Sequence, residues 1–273
     1  MTESTKKCAL VRFRGTTCLD AYDHLAVEEP LEIRVNGYPV AVIMRTPGDD
    51  ESLTLGFLVS ERVVDHPDDV VSIRHCTQLP SDDAEDNVIE VRLHPRVRWD
   101  PASLRRNLFA ASSCGVCGRG TIEGLLKRCV PLRESWSAPL DTLLNLPRIL
   151  RAGQKVFRIT GGLHAAALVS PEGRLCVLRE DIGRHNAVDK VLGWKLSRTD
   201  VPPSLLLVVS GRIAFEVVQK AAVSRISMVI GLSAPSSLAI ELAEKMGICV
   251  AGFIRDRSIN VYTFSHRIRM ESV

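Results

Sequence analysis

Short apolar runs alternate with amphipathic segments from residue 155 onward, and this alternation restricts the fold more than any other feature of the chain. We interpret the runs as strands: KVFRITGG, LCVLRE, LLLVVS, MVIGLS and ICVAGFIR. Helical patterns follow the second, third and fourth of them, namely HNAVDKVLGWKL, FEVVQKAA and SLAIELAEKMG, the last ending on Gly247 as a C-cap. Apolar strands joined by helices favour a largely parallel sheet covered on both faces. We therefore predict a layered α/β domain.

The first third of the chain has a different, β-rich pattern. LEIRV, the turn residues Asn36 and Gly37, and YPVAVIM predict a hairpin, because both turn residues tolerate the positive φ of a type I′ turn. NVIEVRL at 87–93 predicts a further strand, ESLTLGFLVSERVV predicts a helix, and LPSDDAED at 79–86 predicts a polar loop. We therefore expect a smaller α+β domain at the N-terminus.

The predicted fold class is thus α/β, with three sections. An N-terminal α+β subdomain covers 1–110, and a section with a Cys-x-x-Cys loop, a helix and a linker covers 111–150. The layered α/β domain covers 151–273. The linker is predicted between Pro131 and Pro147, a segment with several prolines and a tryptophan.

Composition and charge exclude several classes of protein. Subtracting 32 acidic residues from 35 basic ones gives a net charge of +3, too small a surplus for a nucleic-acid backbone as the main partner. No stretch approaches the ~18 continuous apolar residues of a membrane span, and the N-terminal sequence lacks the apolar core of a signal peptide. We expect a cytoplasmic protein without a membrane or nucleic-acid partner. Two basic clusters are either solvated faces or anion contacts: Arg105, Arg106, Arg119, Lys127 and Arg128, and Arg255, Arg257, Arg267 and Arg269.

Polar residues gather where the predicted strands end. Ligands of open α/β sheets bind beyond the carboxyl ends of the strands, and loops with glycines, hydroxyls and arginines suit a large phosphorylated ligand. We assign no catalytic role to His164 or His185, because a histidine at a strand end is as often structural as ligand-contacting. Asp181, Arg184 and Asn186 are expected to cap the following helix, close a dimer contact or touch the ligand. The other residues at these ends are Thr160, Gly161, Gly162, Glu180, Gly183, Ser210, Gly211, Arg212, Ser233, Pro235 and Ser236.

SSCGVCGRG at 112–120 places Cys114 and Cys117 three residues apart among small or flexible residues. A metal site needs two more ligands, and the sequence offers Cys129 as a third but no second Cys-x-x-Cys pair. A thioredoxin-type redox motif needs a helix that starts at the motif, whereas here the helix is predicted to begin near Ile122. The glycines favour an accessible, mobile loop over a packed structural pair. Such a loop suits a sulfur carrier, our preferred hypothesis, while metal, redox and structural roles stay open.

Several stretches, in order along the chain, together resemble one family. They are SSCGVCGRG, TGGLHAAAL, EDIGRHNAVDK, SGR followed by FEVVQKAA, SAPSSLAIELAEKMG and GFIRDR. From about Leu31 to Tyr262 the chain resembles the FdhD family, the formate dehydrogenase accessory sulfurtransferases. The resemblance implies a cytoplasmic homodimer that takes persulfide sulfur from a cysteine desulfurase and passes it to the molybdenum cofactor, which then activates formate dehydrogenase. It also implies a C-terminal domain that resembles the cytidine deaminase fold.

The resemblance further implies which residues act. Cys114 matches the family's persulfide cysteine and Cys117 its partner, so both are expected to be catalytic. The implied cofactor is Mo-bis(molybdopterin guanine dinucleotide), bound as a substrate, with no metal of the protein's own. Arg255 and Arg257 are then expected to contact a phosphate or a guanine edge. The implied cofactor-binding stretch comprises Phe253, Ile254, Arg255, Asp256, Arg257 and Ser258.

An alternative of another class is a chaperone that binds the molybdenum cofactor without covalent sulfur transfer. A nucleotide deaminase is unsupported, because its zinc signature of H-x-E followed by P-C-x-x-C is absent from the sequence. P-loop and G-x-G-x-x-G patterns are absent as well. The chain departs from the family pattern at Arg62, where glycine is usual, at Ala214, where serine is frequent, and at Ser236, where threonine is frequent.

Overall fold

A long antiparallel hairpin begins the chain in the computed structural model. It consists of β1 (Thr5–Arg14) and β2 (Thr17–Ala26), which pair along their whole length. The apolar pattern of the sequence does not predict it, because both faces of this hairpin carry exposed side chains. The structure describes residues 4–76, 86–97, 130–255 and 257–270.

A second hairpin forms part of a sheet with the strand order β4-β3-β6-β5 within the described residues. Asn36 and Gly37 turn this hairpin with φ values of 48° and 83°, so the predicted turn is confirmed. Residues 79–85 of the predicted polar loop lie outside the described residues. The strands are β3 (Glu29–Val35), β4 (Tyr38–Arg45), β5 (Val70–His75) and β6 (Val88–Leu93), the last of which confirms the strand predicted at 87–93.

The predicted helix after this hairpin is α1 (Asp50–Ser60). Its buried leucines, Leu53 and Leu58, pack against Leu31 and Ile33 on one face of the four-stranded sheet. Alternate residues of β3 are fully buried, as expected for a strand with one face on the core. This packing gives the N-terminal part of the chain its own apolar cluster.

A larger sheet occupies the second half of the chain, with the order β13-β12-β11-β10-β8-β9 in the described part. Its strands β10, β11 and β12 run parallel, but β8 is antiparallel to both β9 and β10, and β13 is antiparallel to β12. The prediction of a largely parallel sheet is therefore wrong, and the sheet is mixed. The strands are β8 (His164–Val169), β9 (Leu175–Asp181), β10 (Leu206–Val209), β11 (Met228–Gly231), β12 (Cys249–Arg255) and β13 (Ser258–Val261).

The error arises at KVFRITGG, which was interpreted as a strand and is the helix α3 (Lys155–Thr160). The Glu180 carboxylate accepts hydrogen bonds from the backbone N–H groups of Val156 and Phe157, at 2.9 and 2.8 Å. A residue on β9 therefore fixes the first turn of this helix, a contact that no local pattern shows. β8 runs antiparallel to β9 because the turn at 170–174 that joins them is too short for a parallel crossover.

Helices cover both faces of the larger sheet. Ala166 and Leu168 face one apolar cluster, shared with α4, α5 and α6, while Ala165 and Ala167 face a second cluster, shared with α2. Successive side chains of a strand point to opposite faces of the sheet, so alternate residues of β8 enter different clusters. The three helices predicted from the sequence are thus confirmed, and Gly247 ends the last one with a φ of 71°. The helices are α2 (Leu140–Gly153), α4 (Arg184–Leu196), α5 (Phe215–Val223) and α6 (Ser237–Met246).

The segment predicted as a linker between Pro131 and Pro147 is partly helical, since α2 begins at 140. Leu143, Leu146 and Leu150 are buried against the sheet at helical spacing, although Pro147 lies inside the helix. The section boundaries at 110 and 150 stay predictions. The remaining elements are the strands β7 (Ala138–Pro139) and β14 (Ile268–Arg269), which pair with each other, and 3₁₀ turns at Pro67–Asp69 and Ser265–Arg267.

Two glycines allow α1 and α4 to cross at very short range. A Cβ on Gly56 would collide with the backbone carbonyl of Asp189, and one on Gly193 would collide with the carbonyl of Ser52. Both obstacles are backbone atoms of the facing helix, which cannot move aside as a side chain would. The crossing therefore requires glycine on both helices.

Buried charges join α1, α4 and α5 beside this crossing. Lys220 Nζ lies 2.8 Å from Asp189 Oδ2 and donates a hydrogen bond to Ser60 Oγ at 2.8 Å. The Ser60 hydroxyl in turn donates to Asp189 Oδ1 at 2.9 Å. All three residues are buried, so removal of any one leaves a polar group without its partner. The group thus fixes the position of α4 relative to its neighbours.

We expect Gly193→Ala to destabilise the protein by about 2 kcal/mol or more. Overpacking against backbone costs about 1–3 kcal/mol, whereas alanine gains only about 1 kcal/mol over glycine in helix propensity. Urea unfolding of both proteins measures the difference. Gly162→Ala is the control, because the nearest atom to its added Cβ lies 3.8 Å away. Equal losses in the two variants would contradict the proposed tight crossing.

The three departures from the family pattern have local structural explanations. Arg62 has a φ of 55°, a left-handed conformation that glycine adopts without strain. Ala214 is the N-cap of α5 and makes no side-chain capping bond. Ser236 is the N-cap of α6, and its hydroxyl accepts a hydrogen bond from the Ala239 N–H at 3.3 Å. Arg62 therefore affects a backbone turn, and Ala214 and Ser236 affect the starts of helices.

Ala214→Ser is expected to stabilise the protein by about 1 kcal/mol, because it supplies the missing N-cap of α5. The N-cap backbone is already extended, with φ −88° and ψ 171°, so the serine needs no rearrangement. Ser236→Ala is the matched test and should lose a similar amount at α6. Thermal and urea unfolding measure both changes, and an unchanged stability for Ala214→Ser would show that solvent already satisfies this helix start.

Candidate functional site

Four strand ends and one strand start meet at one edge of the larger sheet. Strands β9 to β12 end there, whereas β8 begins there because it runs antiparallel, and His164 lies opposite Asp181 in register. Ser210 Oγ accepts a hydrogen bond from the Ala165 N–H at 2.9 Å. A Cβ on Gly211 would lie 3.4 Å from His164 Nδ1, so the imidazole packs beside this glycine. The prediction that polar residues gather at one edge is confirmed for the residues that follow β9, β10 and β11. It is wrong for Thr160, Gly161 and Gly162, which end the helix α3 and precede β8.

The loops after β10, β11 and β12 are tied to one another. Ile213 and Pro235 form an isolated parallel bridge between two of these loops. The Phe253 N–H donates to the Ser233 carbonyl at 3.3 Å. A Cβ on Gly252 would lie 2.8 Å from the same carbonyl oxygen, so glycine is needed for this close approach. These contacts make a continuous surface from β8 to β12. We call it the ligand edge, because ligands of open α/β sheets bind beyond the carboxyl ends of the strands.

The predicted cofactor-binding stretch, 253–258, begins with the last three residues of β12 and ends with the first residue of β13. Phe253 and Arg257 both have a left-handed backbone, with φ values of 54° and 59°. The Ser258 hydroxyl donates to the Arg255 carbonyl at 2.8 Å and closes the turn. Strained backbone of this kind clusters at ligand-contacting loops. Five other non-glycine residues of the described chain share this conformation, so it marks a tight turn here and does not by itself indicate a binding role.

The side chains of the stretch differ in exposure. Ile254 is 4% exposed and lies in the apolar cluster shared with α2, so its side chain anchors the loop. Arg255 is exposed, with its guanidinium carbon 5.9 Å from the centre of the Phe253 ring. Arg257 is also exposed and lies 3.5 Å from Asp141. The stretch thus brings two arginines to the surface at the ligand edge.

Both predicted catalytic residues, Cys114 and Cys117, lie outside the described residues. The same holds for Asp256, for Cys129 and for the whole basic cluster between 105 and 128. Their assigned roles stay predictions. In the second basic cluster, Arg267 is buried and donates to the Ser227 carbonyl at 3.0 Å, so this arginine holds the fold together.

In EDIGRHNAVDK, the most specific motif of the sequence, Asp181 and Asn186 bond to other residues of the fold. Asp181 is fully buried, accepts hydrogen bonds from the N–H groups of Thr46 and Gly183, and lies 2.8 Å from Lys190 Nζ. Asn186 donates to the Asp181 carboxylate at 2.9 Å and to a carbonyl of β4 at 2.8 Å. These contacts join the motif to the N-terminal sheet. The N-cap of α4 is Gly183, so neither acid nor amide caps this helix directly.

Two histidines at the ligand edge are neutral at pH 7. Burial lowers the pKa of His185 to about 4, and the positive charges of Lys220 and Arg184 add to the effect. Burial and then Arg184 lower the pKa of His164, against the opposing influence of Asp181. Neutral imidazoles carry one donor and one acceptor nitrogen each. The edge therefore offers hydrogen-bonding groups whose charge does not change near neutrality.

Among the described residues, no group of three histidine, cysteine, aspartate or glutamate side chains is placed to hold a metal ion. No helix in this part of the chain is long and apolar enough to cross a membrane. The hypothesis of a metal bound by Cys114 and Cys117 concerns residues outside that part and stays untested.

Comparisons with known proteins agree with the resemblance of the motifs. The model of the FdhD/NarQ family matches residues 26–269. The sulfur carrier protein FdhD of Mycobacterium tuberculosis is 47% identical over 251 residues, which cover 89% of this chain and 91% of that protein. The proteins of the same name from Streptomyces avermitilis and Saccharolobus solfataricus are each 43% identical, covering 98% and 96% of this chain and 97% and 98% of theirs.

A solved structure shows the same fold. The crystal structure of a candidate formate dehydrogenase accessory protein from Desulfotalea psychrophila matches with a TM-score of 0.78 at 25% sequence identity. The match covers 98% of this chain and 100% of that one. The mixed α/β architecture therefore extends to a distant relative.

The lowered pKa of His185 predicts a loss of stability in acid. The unfolded chain binds a proton near pH 6.5, whereas folded His185 does so only near pH 4, so stability falls as the pH drops between these values. The full effect is up to about 3 kcal/mol. His185→Gln should show a smaller loss over this range in urea unfolding, while His24→Gln, at an exposed histidine of β2, should behave like the wild type. An equally steep loss in His185→Gln would contradict the buried neutral imidazole.

Proposed function

The chain belongs to the FdhD/NarQ family, and from this premise we propose that it is a sulfur carrier protein that serves formate dehydrogenase. The observation that carries the proposal is the identity of 43–47% to proteins named sulfur carrier protein FdhD over 89–98% of the chain. The Cys-x-x-Cys pair supplies the thiol chemistry that a sulfur carrier needs. We propose further that the protein is an enzyme, a sulfurtransferase with a cysteine persulfide intermediate.

In the first proposed step, Cys114 takes one sulfur atom from the persulfide of a cysteine desulfurase. The Cys114 thiolate attacks the terminal sulfur of the donor, the S–S bond of the donor breaks, and the donor cysteine leaves as a thiolate. From the sequence, Arg119 and the N-terminus of the predicted following helix are expected to favour the thiolate form of Cys114. The glycines around the motif give the loaded sulfur the freedom to move between donor and acceptor.

Delivery of the sulfur requires two electrons, because a persulfide carries sulfane sulfur and molybdenum receives sulfide. Cys117 supplies these electrons: its thiolate attacks Cys114 Sγ, a disulfide forms between the two cysteines, and sulfide leaves toward the molybdenum. A cellular dithiol then reduces the disulfide and restores both thiols. This electron balance gives a reason for two thiols three residues apart.

The proposed acceptor is Mo-bis(molybdopterin guanine dinucleotide), bound as a substrate at the ligand edge. Support comes from the left-handed connection after β12, which exposes Arg255 and Arg257. Guanidinium groups bind phosphate oxygens and guanine edges in bidentate fashion. Since the Ile254 side chain is buried, any ligand contact at this residue comes from its backbone.

The finer features of the protein are also proposals. We propose that the C-terminal domain has the cytidine deaminase fold, for which the sheet with helices on both faces is the structural support. We propose a homodimer in the cytoplasm on the basis of family membership alone.

Incubation of the protein with a cysteine desulfurase and cysteine should add one sulfur atom, because the donor loads Cys114. Intact-mass spectrometry measures this gain, which should disappear in Cys114→Ala. The control is Cys18→Ala, which removes an exposed free cysteine near the tip of the first hairpin and should leave the gain unchanged.

A wild-type protein that gains no sulfur would contradict the transfer mechanism. The chaperone alternative makes a different prediction in a second assay, the activation of formate dehydrogenase. In that case Cys114→Ala/Cys117→Ala still activates formate dehydrogenase, whereas Arg255→Ala does not. Activation by the double variant at the wild-type level would therefore replace covalent transfer with cofactor binding.

A further inference from the structure

The hairpin of β1 and β2 has no apolar core of its own. None of the residues in its two strands is buried. The helix α3 contacts β2, but it has six residues and buries none of them. A two-stranded hairpin is only marginally stable in water unless a further strand or an apolar surface packs on it. We therefore expect another surface to cover this hairpin.

One face of the hairpin exposes a row of mainly apolar side chains. Directly opposite residues of an antiparallel pair point to the same face, and on this face three successive pairs are exposed on both strands. Phe13 is 72% exposed and Tyr22 is 65% exposed. Large exposed apolar patches mark interaction sites. We call this row the hairpin stripe, and its pairs are Ala9 with Tyr22, Val11 with Asp20, and Phe13 with Cys18.

The charged side chains on this face are placed symmetrically about the pair of Ala9 and Tyr22. Lys7 precedes Ala9 by two residues on β1, and its Nζ lies 4.2 Å from the centre of the Tyr22 ring. Asp20 precedes Tyr22 by two residues on β2, and because the strands are antiparallel it lies on the other side of the pair. Neither charge joins an ion pair within the described part of the chain. The face therefore has one basic and one acidic group that match each other across a two-fold axis.

We propose that the hairpin stripe is a dimer interface, on which a second copy of this chain lays the same face of its own hairpin with the strands reversed in direction. A two-fold axis through the pair of Ala9 and Tyr22 then places Lys7 of each copy beside Asp20 of the other. An isologous interface requires self-complementarity of this kind. The inference rests on the proposed function only for the expectation of two copies, and it names the surface that joins them.

Charge disfavours the other ways in which two hairpins could pair. The strand β1 carries four basic side chains and no acidic one, so a second β1 along its outer edge would place like charges side by side. The face opposite the stripe has three of these basic side chains and one acidic one, Asp23, so two such faces would repel each other. The stripe is therefore the face that fits a second copy. The basic residues are Lys7 on the stripe side and Lys6, Arg12 and Arg14 on the opposite face.

The size of the stripe predicts a weak dimer. Ten residues with a rise of ~3.4 Å and two strands ~4.8 Å apart give a face of about 34 by 10 Å. Two stacked faces thus cover about 700 Å² in projection, less than the ~1,200 Å² at which standard interfaces begin. We therefore expect an equilibrium between monomer and dimer in the micromolar range rather than a permanent dimer.

Sedimentation velocity of the full chain from about 1 to 200 μM measures this equilibrium in a range that suits micromolar affinity. Lys7→Glu should weaken the dimer about 10- to 30-fold, because each dimer loses two ion pairs and gains two repulsive contacts. Asp20→Lys should weaken it to a similar extent for the same reason. Lys6→Glu is the control, because it makes the same change one residue away on the opposite face and should dimerise like the wild type. Thermal unfolding checks that all variants are folded.

An equimolar mixture of Lys7→Glu and Asp20→Lys should recover dimers of wild-type affinity. In a mixed dimer, one copy has two acidic groups on the stripe side and the other has two basic groups, so both contacts are again between opposite charges. Positions 7 and 20 of one hairpin are four residues apart along the strands, about 13 Å, so contacts within one copy do not explain such a recovery.

A wild-type protein that stays monomeric over this concentration range would overturn the proposal together with the homodimer. A dimer that Lys7→Glu leaves unchanged would overturn the stripe as its interface, and so would weakened variants that do not recover on mixing. The persulfide assay on Cys114 is independent of these measurements. A protein that loads sulfur but does not dimerise through the stripe refutes this inference alone, whereas one that dimerises as expected but never loads sulfur refutes the carrier mechanism alone.

Discussion

The crossing of α1 over α4 is the constraint on which the rest of the structure depends. Gly56 and Gly193 bring the helix backbones together, and the buried group of Lys220, Asp189 and Ser60 fixes their relative position. Because α4 begins at the ligand edge, the same contacts determine where Arg184 stands. Breaking one partner of a buried ion pair costs about 3–5 kcal/mol, so the N-terminal sheet and the ligand edge are coupled through one helix.

The most specific motif of the chain therefore combines two roles. Within EDIGRHNAVDK, the side chains of Glu180, Asp181, Asn186 and Lys190 all bond to other parts of the fold. A sequence pattern can thus identify the family firmly through side chains that bond to other parts of the fold. The adjacent arginine and histidine differ, since each has a buried nitrogen without a partner in the described residues. Burial and hydrogen bonding separate the two roles where residue type alone does not.

Much of the fold follows from the sequence, because periodicity reports burial. The hairpin at Asn36, the helices α4 to α6 and the strands between them all have one or both faces in an apolar cluster. The failures have physical causes: α3 is fixed by the distant Glu180, α2 contains Pro147, and β1 and β2 bury neither face. For the site, the polar edge could be predicted, but the buried nitrogens Arg184 Nε and His185 Nε2 without partners in the described residues could not, because this depends on which neighbours are already engaged.

The two proposed binding events respond differently to pH, and this separation follows from the side chains involved. A guanidinium stays protonated at any physiological pH, and both edge histidines are already neutral at pH 7. The proposed phosphate binding through Arg255 and Arg257 is therefore insensitive to small pH changes near neutrality. Sulfur loading depends instead on the thiolate fraction of Cys114, which rises with pH until the thiol is fully ionised. Substrate retention and sulfur transfer are thus controlled by different groups, so a carrier of this kind holds its substrate while the reactivity of its thiol varies.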